Sequence, residues 1–161
     1  MKILIIFYLL LISSISYADN SIDIIVVNKS ERILYVVKND KIIKKYEIAL
    51  GLNPTGHKKK EGDKKTPEGY YFIDGKNSNS KYFLSLHTSY PNFHDKQVSV
   101  KNNVNPGEHI AIHGLPSISI LSQHLYSKGV DWTDGCIALN NSDMQELWDL
   151  TEEGTQIIIK P

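Results

Sequence analysis

Residues 131–140 read DWTDGCIALN and hold the chain's only cysteine, Cys136. The cysteine stands between Gly135 and the apolar run Ile137-Ala138-Leu139, which puts it at a strand end next to tight backbone. Two readings of the thiol stay open on these residues. Exported proteins pair their cysteines or avoid them, so a leftover one points to an intermolecular bridge or a reactive thiol. The other reading is a small hydrophobe buried in a core.

Working outward, the segment 105–114 reads NPGEHIAIHG. Its alternation sets Ile110 and Ile112 on one side of a strand and His109, Ala111 and His113 on the other. His113 ends that strand, followed by Gly114, and so can reach a cleft beside the Cys136 turn. A thiol attacks as thiolate and needs a base, and His113 is the best placed of the six histidines. A structural histidine is the competing reading. His109 and His113 also have the H-x3-H spacing of zinc sites, but that spacing converges on a helix. On a strand, four steps separate the rings by about 13 Å. With no cysteine pair and no HExxH motif, metal chemistry is not expected.

Further out, IDIIVVNKS (22–30) and RILYVVK (32–38) are rich in β-branched and aromatic residues. Asn39-Asp40 breaks the pattern and KIIKKYEIAL (41–50) resumes it, so Arg32 to Leu50 reads as a hairpin. A long polar loop follows from Gly51 to Gly69. Strand-like runs recur at YYFI (70–73), YFLSL (82–86) and TQIIIK (155–160). Two stretches read as helix. PSISILSQHLYSKG (116–129) has Pro116 for a first turn, Ile118, Leu121 and Leu125 on one face, and Gly129 as a stop. SDMQELWDL (142–150) starts with Ser142 and Gln145 in capping-box spacing. There Trp148, beside Leu147 and Leu150, reads as core. The expected fold is mainly β (α+β): one domain of mixed β-sheets or a β-sandwich with two short helices.

The chain opens MKILIIFYLLLISSISYADN. Lys2, the apolar run Ile3–Ile12 and small residues ending at Ala18 form a signal-peptide pattern, too short to span a bilayer. Residues 1–18 are therefore expected to be a cleaved leader, with the domain at 19–161, no stable membrane span afterwards, and a periplasmic or cell-wall location. Without Lys2 the chain has 17 basic against 18 acidic residues. That neutrality argues against nucleic acid as a partner. The basic run HKKKEGDKK (57–65) is the local exception, and a solvated loop is its ordinary reading.

IAIHG followed by TDGCIAL resembles the signature of the L,D-transpeptidase (YkuD-type) catalytic domain, in a compact subgroup with a TDGC motif. ALGLNPTGHKKKEGDKKTPEGYYFI (49–73), LSLHTSYPN (84–92) and NPGEHIAIHG are similar to further segments of that family, so the resemblance covers nearly the whole chain after residue 18. It implies an exported, cofactor-independent enzyme acting on peptidoglycan stem peptides through a thioester. Cys136 would be the nucleophile and His113 its base, oriented by the carbonyl of Gly114. Backbone N–H groups around Gly135 and Cys136 would form the oxyanion hole. Tyr90, Trp132, Thr133 and Asp134 would be substrate contacts. The acyl group passes to an amine, making a cross-link or anchoring a wall protein, or to water.

Two departures bear on specificity. Asp134 stands where relatives often carry a basic residue or histidine, and Ala138 where they often carry Arg or Asn, which removes a bidentate carboxylate donor. The spacer after His113 also holds the whole 116–129 helix, expected as a cap over the cleft. Three functions follow: a cross-linking or anchoring transpeptidase, an endopeptidase or carboxypeptidase of the same fold, and a non-catalytic wall-binding module. The intact His113/Cys136 pair argues against the last.

Overall fold

The computed structural model describes residues 21–116 and 120–161. The expected leader, 1–18, and Ile118 of the expected helix lie outside those residues. The strands are β1 (Ile24–Asn28), β2 (Ile33–Lys38), β3 (Lys41–Glu47), β4 (Gly69–Ser80), β5 (Phe83–Thr88), β6 (Ala111–His113), β7 (Ile137–Ala138) and β8 (Gln156–Lys160). The helices are α1 (Phe93–Lys101), α2 (Ile120–Ser127) and α3 (Asn141–Leu150). The strands join in one mixed sheet of order β3-β2-β1-β8-β4-β5-β6-β7, a mainly β, α+β domain. Continuity comes from β4, whose Gly69–Phe72 half pairs with β8 while residues from Ile73 onward pair with β5.

Period-two alternation buries one face. Ile25 and Val27 of β1, Leu34 and Val36 of β2, and Ile157 and Ile159 of β8 are sealed into the core. Met144 and Leu147 of α3 enter the same cluster, with Trp148 packed against its edge. Asn39 and Asp40, both at positive φ, make the two-residue turn of the β2–β3 hairpin. β3 is one of the two edge strands, and its three lysines discourage pairing with another chain.

The helices differ from expectation in three ways. α3 begins earlier than the Ser142 reading, because Asn140 is its cap and accepts from Asp143 N at 2.8 Å. α2 turns Leu121 outward, 67% exposed, and buries Ser122, so its apolar residues do not form the expected inward stripe. α1 was not expected at all. Asn92 and Asp95 close it with a reciprocal capping box, and it buries Asp95 and Ser99 instead of an apolar face. Asp95 meets Tyr71 OH at 3.1 Å and His57 Nε2 at 3.2 Å. Polar contacts hold α1, which explains why apolar spacing missed it.

Candidate active site

β6 and β7 run parallel, with Ile112 opposite Ile137 and His113 opposite Ala138. Ile112 and Ile137 face the core, fully buried. His113 therefore projects from the other face, and one step back in register Cys136 lies beside Ala111 on that same face. Two residues along and one strand across separates the Cα atoms of Cys136 and His113 by roughly 8 Å, a diagonal that two side chains can bridge. His109, expected on the same strand, is instead at positive φ before it begins, and its exposed ring pairs with Glu108.

Three contacts fix the imidazole of His113. Its Nδ1 lies 2.7 Å from the carbonyl of Gly114, so Nδ1 carries the proton and Nε2 is left as the basic nitrogen. Tyr82 stacks on the ring at 4.3 Å, and Trp132 meets it edge-on at 5.9 Å. A Cβ on Gly114 would stand 2.6 Å from Asn141 Oδ1 and 3.0 Å from the Tyr82 carbonyl, so glycine lets the β4–β5 turn close onto the histidine. Burial lowers the imidazole pKa to about 4, against the pull of the Gly114 bond and with help from the Lys81 charge. The resting histidine is neutral.

Cys136 is half-buried, and its thiol is directed at the His109 carbonyl, 3.6 Å away. Burial pushes its pKa up. The Ala111 N–H pulls it down, Asp134 raises it, and Lys58 and Lys81 lower it. The thiol opens onto a cleft of about 420 Å³ whose walls include Lys58, Glu61, Lys64, Glu108 and Asp134. None of the residues lining this cleft comes from α2. Lys58 is tied to Asp63 at 2.9 Å, and Lys64 pairs with Asp134 across the cleft.

The turn before the cysteine is held from within. Thr133 Oγ1 donates to the Cys136 carbonyl at 2.7 Å and accepts from Gly135 N at 3.1 Å. Two expectations are corrected here. The buried Thr133 hydroxyl is used up inside the turn and does not face substrate. The Gly135 N–H is likewise engaged and is no oxyanion donor. Gly135 is needed for space, since it sits at φ 129° and a Cβ would lie 2.6 Å from the Lys65 carbonyl. Asp131 anchors the turn's start, accepting two bonds from Arg32 Nε and Nη2 and one from Leu50 N.

Tyr90 is also corrected. It is 4% exposed, edge-on to Tyr71, with its hydroxyl donating to the Pro106 carbonyl, so it belongs to the core. Trp132 does stand beside His113, and its buried Nε1 has no hydrogen-bond partner among the described residues. Asp134 lies at the cleft with its side chain 80% exposed. Sequence reasoning missed Tyr82, Lys58, Lys64 and Lys81. Only the strand beginning at Tyr82-Phe83 was visible, and a hairpin tip gives no sign of what it covers.

The family profile of the L,D-transpeptidase (YkuD) catalytic domain matches residues 22–159. No curated protein matches the chain. Among solved structures, the helical cell shape determining protein Pgp2 from Campylobacter jejuni is 32% identical, with a TM-score of 0.64 over 89% of this chain and 49% of that one. Bd1075 from Bdellovibrio bacteriovorus is 29% identical, with a TM-score of 0.62 over 87% of this chain and 48% of that one. An L,D-transpeptidase from Mycobacterium smegmatis, 14% identical with a TM-score of 0.56 over 86% and 58%, shares the fold. The chain thus spans about half the length of Pgp2 and Bd1075.

Proposed function

From the premise that this chain belongs to the L,D-transpeptidase (YkuD) catalytic-domain family, we propose that it is an exported cysteine enzyme that cuts peptidoglycan stem peptides through a thioester. The observation that carries the reading is the His113 imidazole, tautomer fixed by the Gly114 carbonyl, on the same sheet face as Cys136. The thiol turns from the His109 carbonyl toward Nε2 and gives up its proton as sulfur bonds to the scissile carbonyl carbon. The resulting imidazolium returns that proton to the leaving amine as the C–N bond breaks. With the Gly135 N–H occupied, oxyanion stabilisation falls to the Cys136 N–H. An amine or water then resolves the thioester. The amine could be a second stem peptide or a wall-anchored protein.

Transpeptidation is the primary reading, in keeping with the family. Hydrolysis, as an L,D-carboxypeptidase or endopeptidase, has a specific observation in its favour. An ammonium-bearing acceptor drawn to Asp134 must displace Lys64, whereas water need not. Such an exposed pair contributes at most about 1 kcal/mol, so displacement is feasible. Mass spectrometry of purified stem-peptide fragments after incubation separates the outcomes: dimers indicate transfer, and shortened monomers indicate hydrolysis. Unchanged fragments with no cysteine adduct would reject both. Asp134 is proposed to select cationic substrate groups. Asp134→Asn should then raise KM for free-amine peptides more than for acetylated ones, and equal loss on both would reject that role. For the location, the periplasm or cell wall, N-terminal sequencing of the mature protein should begin at Asp19.

A further inference from the structure

We infer that Lys81, at the tip of the β4–β5 hairpin, binds the α-carboxylate of the amino acid that leaves the acyl donor; this rests on the thioester chemistry proposed above. Three observations converge on it. The tip is built against the site, since Tyr82 stacks on His113 and only a glycine at 114 lets it approach so closely. The Lys81 ammonium lies 5.0 Å from the centre of the Tyr82 ring, the ring that stacks on His113, which holds the charge at the hairpin tip beside the site. The charge balance then singles it out. Lys58 is neutralised by Asp63 and Lys64 by Asp134, whereas Lys81 has no carboxylate partner among the described residues.

The chemistry supplies the ligand. His113 must deliver a proton to the leaving nitrogen, so the leaving amino acid lies against His113, on the Tyr82 side of the thiol. Its carboxylate carbon is two bonds from that nitrogen, roughly 2.5 Å away. It therefore arrives close to the hairpin tip, where an unpaired ammonium can meet it. Asp134, on the cleft side, would repel it. Recognition of the free carboxylate would confine attack to the last amide bond of a peptide, which spares internal bonds.

The test uses the Cys136→Ala protein, which binds without turnover. Calorimetry would compare a stem tetrapeptide ending in free D-alanine with the same peptide ending in D-alaninamide. The free acid should bind about tenfold more tightly, the scale of one charge-assisted hydrogen bond. Adding Lys81→Met should bring the ratio close to one, and Lys81→Arg should preserve it. An unchanged ratio in Lys81→Met, equal weakening of both peptides, or binding of neither would overturn the assignment. Release of D-alanine by the protein with Cys136 intact is scored separately. Its absence alongside carboxylate-dependent binding would reject the thioester chemistry and leave the role of Lys81 standing.

Discussion

A histidine whose pKa sits near 4 and a thiol pushed above its usual value do not form an ion pair at rest. The proton moves only when substrate arrives, so both side chains must be present and aligned. Cys136→Ala should abolish turnover while leaving the thermal midpoint close to wild type, and Cys136→Ser should be nearly as inactive. His113→Ala should lose roughly 10²-fold or more, the usual size of a positioned base's contribution. Wild-type rates in any of these variants would disprove the assignment. Tyr82 acts through His113 by holding its ring plane and keeping water away. Tyr82→Ala should lower kcat more than it raises KM and shift the acid limb of the rate–pH profile upward, toward the ordinary imidazole value of 6.5. Tyr82→Phe keeps the stacked ring and should restore both. If Tyr82→Ala changed only stability, with an unshifted pH profile, the positioning role would be wrong.

Among the secondary-structure elements, α1 is the most instructive, because its stability rests on caps instead of an apolar stripe. Asn92 Oδ1 accepts from Asp95 N at 3.0 Å, and Asp95 Oδ2 accepts from Asn92 N at 2.9 Å. Asn92→Ala removes the first bond and should cost about 1 kcal/mol, measured as a shift in the denaturant midpoint at constant slope. A neutral effect would mean that the Asp95–His57–Tyr71 contacts alone suffice. The same contrast marks what the chain discloses before folding. Strands β1, β2 and β8 were legible because each buries alternate aliphatic residues against one core, whereas β3 was legible by composition although only its Tyr46 is buried. α1 was not, since its inward residues are Asp95 and Ser99, which look like surface in a sequence. α2 was misread for the opposite reason. Leu121 was read as part of an apolar face, yet it points to solvent, 67% exposed.

For the domain as a whole, the His113/Cys136 pair was legible because its two residues end adjacent strands, and strand ends announce themselves through Gly114 and Gly135. The walls of the cleft were not legible. Lys58 and Lys64 come from a loop far from Cys136 in sequence and reach the cleft only through the fold. Burying a neutral His113 within the cooperative core has a consequence for the entire fold. The imidazole titrates near 6.5 when unfolded and near 4 when folded, so between those values the unfolded chain binds more protons. Stability from this group is thus complete above pH 6.5 and is lost as pH falls toward 4, by on the order of 3 kcal/mol in total. The depressed carboxylates Asp63, Asp95 and Glu146 add their own losses only below their ordinary values of 3.8 to 4.5. The interval from pH 4.5 to 6.5 therefore lies above the range where those carboxylates lose their contribution. Thermal midpoints of the protein should fall by several degrees across that interval, and the slope should flatten in His113→Gln, which cannot titrate. A slope identical in the two proteins would show that His113 titrates alike in the folded and unfolded states, near 6.5, and that burial does not lower its pKa. Above pH 6.5 the imidazole would still be neutral and able to accept the thiol proton, so the burial argument would fail while the general-base role stood.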